Sequence, residues 1–232
     1  MIGMPHLFVL VAVVAMPVRA AAAVDETMNE PCRTLRRLEA GKHQHMVAVG
    51  TSLTAGGAWV CQVYERLSQR FQGGRVSLTN AGIGGSASRD VGRIDRAVLP
   101  RNPDLVFIEF AINDAFEGYG ISVNQARANL DAMIDRIHAH NSDCEVILMT
   151  MNAVAGSAAD VRPHLEDYYQ MYRDVAHERG LLLVDIYPQW KQLLEEDRAR
   201  FDRYIPDGLH PNALGAREVI TPAVLRAMGF PP

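Results

Sequence analysis

Five short apolar runs, each parted from the next by a longer segment, limit this 232-residue chain to one kind of architecture. The runs are 45–49 (HMVAV), 76–79 (VSLT), 105–111 (LVFIEFA), 145–151 (EVILMTM) and 181–186 (LLLVDI). They are short, mostly apolar and partly β-branched, as expected of strands buried on both faces of a parallel sheet. Between them lie helical patterns. Val123, Ala126, Leu130, Met133, Ile134 and Ile137 recur at helical spacing, and so do Leu165, Tyr168, Tyr169, Tyr172, Val175 and Ala176. The aromatic stripe on the second of these reads as core packing. A last helix is expected from near Pro211, a residue favoured in a first turn, towards Met228. Strands alternating with helices give a doubly wound α/β fold with a five-stranded parallel sheet. Ligand sites in such sheets lie beyond the carboxyl ends of the strands. Residues 152–161 (NAVAGSAADV), after the fourth run, are expected to form a mobile loop.

The N-terminus is separate. Residues 7–16 (LFVLVAVVAM) are apolar but too short to span a bilayer, and small residues follow at 20–23. That layout predicts a secretory signal peptide over 1–22, a single domain over 23–232, and a secreted or periplasmic protein. No cysteine directly follows the apolar run, so no lipid anchor is expected.

Hydrophobic residues make up 48% and charged residues 22%, which excludes a disordered chain. The formal charge is -4, and removing residues 1–22, with one Arg and no acid, makes it more negative still. An acidic balance argues against nucleic acid and anionic membranes as partners. A small molecule or carbohydrate is the expected partner, with no stable membrane insertion. Cys32, Cys61 and Cys144 show no CxxC spacing, and their pairing stays open. The H-x-H pairs His43/His45 and His138/His140 read as surface histidines; on a helix, i and i+2 do not face each other. No metal is expected.

The segments after the strands carry the chemistry. After the first run comes Gly50-Thr51-Ser52-Leu53-Thr54. A serine at a strand end, opening a helix, is a nucleophile if a base lies nearby, and otherwise an N-cap. It is not the G-x-S-x-G elbow, because Thr54 stands in place of the second glycine. After the second run comes Asn80-Ala81-Gly82-Ile83-Gly84-Gly85-Ser86, whose glycines permit close approach to a ligand. Gly82-x-Gly84-x-x-Ala87 is a poor dinucleotide fingerprint, since it follows the second strand and no acid ends the next, so no cofactor is expected. After the third run, Asn113 in Ala111-Ile112-Asn113-Asp114 can donate to an oxyanion or close a turn. Near the C-terminus, Asp207-Gly208-Leu209-His210-Pro211 lets one turn bring a carboxylate to an imidazole. Together the four segments supply nucleophile, oxyanion donors, base and orienting acid.

This set resembles the SGNH hydrolase family, the GDSL-like esterases and lipases, over nearly the whole chain. The resemblance implies the flavodoxin-like three-layer fold of that family. It also implies Ser52 as nucleophile, Asp207 and His210 as its triad partners, and an oxyanion hole from Ser52, Gly85 and Asn113. Two positions depart from the family: Thr51 replaces the Asp of G-D-S-L, and Ala111 replaces the Gly of G-x-N-D. The expected activity is hydrolysis of small acyl esters, above all acetyl esters, on carbohydrates. The alternatives are a lysophospholipase, thioesterase or arylesterase, with Trp59, Phe116 or Tyr119 lining an acyl pocket. An acetyltransferase, or a catalytically silent carbohydrate-binding module, also stays open.

The export signal has a direct check. Mature protein from the native host should begin near residues 21–25 by intact mass; Met1 retained on the purified protein would exclude cleavage.

Overall fold

A computed structural model describes residues 31–230, so the signal-peptide reading over 1–22 lies outside the described residues. All five apolar runs form strands: β1 (Gln44–Gly50), β2 (Val76–Asn80), β3 (Leu105–Glu109), β4 (Glu145–Met149) and β5 (Leu182–Val184). They pair in parallel in the order β2-β1-β3-β4-β5. The helices are α1 (Arg33–Glu39), α2 (Ser52–Ala55), α3 (Ala58–Arg70), α4 (Ala111–Asp114), α5 (Val123–His140), α6 (Ser157–Asp160), α7 (Leu165–Arg179), α8 (Tyr187–Glu196), α9 (Arg198–Tyr204), α10 (Ala213–Gly215) and α11 (Thr221–Ala227). The doubly wound α/β fold read from the runs is the fold observed.

The central strands are buried because their sequences have no wet face. Met46–Val49 and Leu105–Ile108 are at most 1% exposed. Helix α3 packs with α11, and α5 with α7, which gives the two helical layers around the sheet. Trp59 of α3 meets Phe107 of β3 edge-on at 5.6 Å and donates from its indole N–H to the Leu53 carbonyl at 3.0 Å. From the other helical pair, the Tyr172 hydroxyl accepts from Phe110 N–H at 2.9 Å. The tyrosines of α7 are thus core residues, as their spacing implied. Ser122 caps α5 by accepting from Gln125 N–H, and Gly180 ends α7 at φ +61°, where a side chain would be strained.

Several boundaries differ from the sequence reading. The third run stops as a strand at Glu109, and Ala111 opens α4. Residues 152–161 are not a bare loop. Met151–Ala155 are buried, Asn152 completely so, and α6 follows. The segment owes its order to hydrogen bonds from Asn152 and Ala155 to the carbonyls of Leu209 and Gly208 rather than to periodicity, which is why its small, polar composition misled. The C-terminal helix starts at Ala213 after an Asn212 cap, with Pro211 one residue ahead of the cap. It also widens into a π-turn over Ala216–Ile220, where Thr221 N–H reaches back to the Ala216 carbonyl. Pro222 follows and has no N–H to continue the ordinary ladder. The same device precedes Pro100, over Ile94–Val98.

The three cysteines are free thiols. Burial pushes Cys32 and Cys144 up to about 12, with carboxylates adding to it: Glu145 for Cys32, Asp104 and then Glu145 for Cys144. Cys61 is exposed on α3. Among the described residues, no helix is long and apolar enough to cross a membrane.

Gly50 stands at a tight point of the sheet. A Cβ there would lie 2.3 Å from Glu109 Oε1 and 2.5 Å from the Glu109 carbonyl oxygen. Gly50→Ala should therefore cost about 1–3 kcal/mol, as overpacking does, and lower Tm by several degrees. An unchanged melting curve by circular dichroism would contradict this packing.

Candidate active site

The turn after β1 is built from its own side chains. Thr51 is the N-cap of α2, and its hydroxyl accepts from Leu53 N–H at 3.1 Å. Ser52 is the next residue, half-buried and first in the helix. Its Oγ lies 2.9 Å from His210 Nε2.

His210 is placed by Asp207, three residues earlier. The Asp207 carboxylate accepts from Leu209 N–H at 2.9 Å and His210 N–H at 2.7 Å. Its second oxygen lies 2.6 Å from His210 Nδ1. A carboxylate only accepts, so the ring proton sits on Nδ1 and leaves Nε2 free to accept from Ser52. Partial burial opposes the charge on Asp207, but the hydrogen bonds from His210 and Leu209 outweigh it and hold the group below its ordinary range. Gly208 makes the turn possible at φ +76°. The packed segment after β4 holds this loop from below: Ala155 N–H donates to the Gly208 carbonyl and the Asn152 amide to the Leu209 carbonyl, each at 2.9 Å.

The glycine-rich loop is tied to the same place. Ile83 N–H and the Ser86 hydroxyl both donate to the Gly50 carbonyl, at 3.1 and 2.8 Å. Gly82 is required for contact with protein rather than ligand, since a Cβ there would lie 2.3 Å from Ala55 N. Gly85 adopts φ +72°, and its carbonyl accepts from the Tyr119 hydroxyl at 2.7 Å. Asn113 is buried in α4, and its amide donates to the Ser86 carbonyl at 2.9 Å. Arg162, itself buried, donates to the neighbouring Ile112 carbonyl at 2.8 Å. Ser52, His210 and Asp207 are thus in direct contact, while Gly85 and Asn113 join through Ser86.

A cleft of about 410 Å³ opens beside Ser52 and His210, lined otherwise by Leu53, Ala55, Gly56, Gly57, Gly84 and Pro211. Trp59, Phe116 and Tyr119 do not line it. Trp59 is core, and Phe116 stacks edge-on against Tyr119 at 5.0 Å. Of the H-x-H pairs, His45 bonds Thr79 and His43 bonds Ser77.

Two buried acids were missed by the sequence reading. Glu109 ends β3 beneath the Ser52 turn, and burial pushes it up to about 7 against hydrogen bonds from Thr54 and Thr51. Asp114 accepts from Ser88 N–H at 2.8 Å and is pushed up to about 6 by burial. The signal for Glu109 was a lone charge inside an apolar run.

Comparison with known proteins follows the same lines. The model of the GDSL-like Lipase/Acylhydrolase family matches residues 48–218. Among solved structures, an alpha/beta hydrolase enzyme from the metagenome of Lake Arreo, Spain, is 24% identical, with a TM-score of 0.70 over 82% of this chain and 96% of its own. An acetylxylan esterase from Geobacillus stearothermophilus is 22% identical, with a TM-score of 0.69 over 82% and 96%. A protein of Parabacteroides merdae named for its likeness to GDSL lipases is 17% identical, with a TM-score of 0.73 over 82% and 97%. At these identities the likeness is one of fold. No curated protein sequence matches the chain.

The His210 loop can be tested at its hinge. A Cβ on Gly208 would lie 2.3 Å from the Ala155 carbonyl oxygen, in a backbone region that disfavours side chains. Gly208→Ala should cost about 1–3 kcal/mol in strain and displace His210 from Ser52. Loss of ester hydrolysis greater than the loss of folded protein is expected; wild-type kcat in the variant would show that the loop tolerates the change.

Proposed function

The chain belongs to the GDSL-like lipase/acylhydrolase family and is a serine hydrolase of the SGNH type, and from that premise we propose that Ser52, His210 and Asp207 are its catalytic triad and that it hydrolyses small acyl esters, acetyl esters of carbohydrates first among them. The observation that carries this is the unbroken hydrogen-bond chain from Ser52 Oγ through the His210 ring to Asp207.

In this reading His210 Nε2 takes the Ser52 proton as Oγ attacks the ester carbonyl. Asp207 holds the ring tautomer and stabilises the imidazolium. Negative charge on the tetrahedral oxygen is met by the N–H groups of Ser52 and Gly85 and by the Asn113 amide. One amide hydrogen of Asn113 is engaged by the Ser86 carbonyl, which leaves the other for the oxyanion. His210 then protonates the leaving alcohol, and the same ring activates water to release the acid. Every proton in the cycle moves through His210, so the reading calls for no cofactor.

Support for a small acyl group comes from the cleft, which is lined by small residues (Ala55, Gly56, Gly57 and Gly84) with Leu53 and Pro211 as its larger apolar side chains, and by no Asp, Glu, Lys or Arg. The fold likeness to an acetylxylan esterase makes acetylated sugars the first substrates to try. A signal peptide over 1–22, with a secreted or periplasmic mature chain, belongs to the same proposal.

A hydrolysis panel decides between acyl groups. Acetylated sugars and p-nitrophenyl acetate should be hydrolysed, with rates falling as the acyl chain lengthens; preference for long chains or lysophospholipids would point to a lipid esterase. Ser52→Ala should be folded and inactive. Asn113→Ala should lower kcat by ~10²–10³ with KM nearly unchanged, Tm being the control because Asn113 also pins Ser86. A folded Ser52→Ala that kept its activity would overturn the triad.

A further inference from the structure

A buried carboxylate with no part in these acyl-transfer steps lies directly beneath the turn that carries Ser52. Glu109 is 1% exposed and stands opposite Gly50 in the parallel register of β1 and β3. Its Oε1 accepts from Thr51 N–H at 2.7 Å and from the Thr54 hydroxyl at 2.7 Å. The Thr51 hydroxyl lies 3.0 and 3.1 Å from its two oxygens. That same hydroxyl accepts from Leu53 N–H. The residues on both sides of Ser52 are therefore tied, directly or at one remove, to one carboxylate.

We propose that Glu109 is a positioning residue for Ser52: its carboxylate gathers Thr51 and Thr54 and so fixes the direction of the Ser52 hydroxyl and N–H. The inference rests on Ser52 being the nucleophile. It also gives a reason for Thr51, where the family has an acid. An aspartate at 51 would set a second negative charge against Glu109, whereas a threonine hydroxyl donates to it.

The donors around Glu109 suit the ionised form. Two hydroxyls and one N–H point at it, and a protonated carboxyl would have to displace one of them to donate in turn. The other titratable groups that share its electrostatic surroundings are Asp114 of α4, which raises its pKa further, Arg93, and Tyr169 and Tyr172 of α7. Burial pushes Glu109 up to about 7. Two consequences run in opposite directions. Holding the turn requires the carboxylate, so activity is lost as pH falls through about 7. Stability behaves otherwise: from the ordinary 4.5 to about 7 the folded chain keeps a proton that the unfolded chain releases, so the contribution of Glu109 declines as pH rises through that window. A merely structural carboxylate would not link the two.

The test uses the full chain and p-nitrophenyl acetate. Glu109→Gln should lower kcat by at least about tenfold, the scale of a small misplacement of a reacting group, with KM within about twofold. Its acid limb should lose one proton of steepness, and its Tm should decline less with pH between 4.5 and about 7 than that of the wild type, the remainder coming from Asp114, which is raised to about 6. Thr51→Val should follow Glu109→Gln, and Thr51→Ser, which keeps the hydroxyl, should restore activity. If Glu109→Gln fails to fold, Thr51→Val and the wild-type pH profile decide the question. Wild-type kcat and an unchanged acid limb in a folded Glu109→Gln or Thr51→Val would overturn the inference. Ser52→Ala separates the two ideas: activity retained there removes the nucleophile reading, whereas its loss beside a fully active Glu109→Gln removes only the role of Glu109.

Discussion

The pairing of Gly50 with Glu109 at the carboxyl ends of β1 and β3 is the constraint around which the site is arranged. A buried carboxylate is costly unless its oxygens are hydrogen-bonded, and the penalty for leaving one bare exceeds the worth of any single bond. Glu109 avoids it by drawing in Thr51 and Thr54, and Gly50 supplies the space by having no side chain. The packing of the sheet end and the shape of the Ser52 turn thus rest on the same contacts. The turn could not open without stripping the acid of its donors.

From that anchor the remaining loops are added by hydrogen bonds to backbone carbonyls. The Gly50 carbonyl accepts from Ile83 and Ser86, which brings the glycine-rich loop beside Ser52. The Ser86 carbonyl accepts from Asn113, which adds the turn after β3. On the other side, the segment after β4 holds the Asp207–His210 loop through Ala155 and Asn152. The strand order explains why these meet. Chain progression reverses where β1 lies between β2 and β3, so the loops after β1 and β3 diverge to opposite faces and leave a crevice between them. Ser52 and Asn113 stand at its two edges.

The rigidity of the site has a local cost in unusual backbone. Gly85 and Gly208 both take positive φ, and each presents a backbone group to a neighbour: Gly85 its carbonyl to Tyr119, Gly208 its carbonyl to Ala155. Glycine is needed at both because only it adopts that geometry without strain. The exposed Asp207–His210 pair contrasts with the buried Glu109 and Asp114. The first lies open to solvent; the second pair lies in protein, where burial raises the pKa of both.

The sequence by itself determined what local chemistry determines. Apolar runs of strand length gave the five strands, helical spacing gave α5 and α7, and the D-x-x-H spacing placed Asp207 against His210 within one turn. Family resemblance and the strand-end rule singled out Ser52, Gly85 and Asn113. Boundaries, and burial outside the strands and the periodic helix faces, were not legible. Residues 152–155 looked loop-like because nothing in their composition reports the carbonyls of Gly208 and Leu209 that order them. Trp59 looked available to a ligand because its partner, Phe107, lies on β3, far from it in sequence. Glu109 read as one oddity in an apolar run because its donors come from Thr51 and Thr54. Periodicity and turn chemistry act over a few residues, whereas Ser52 and His210 are 158 residues apart and meet only when the strand order closes that distance. Which groups are shut away from water, and so which pKa values move, is likewise a property of the packed sheet and its two helical layers.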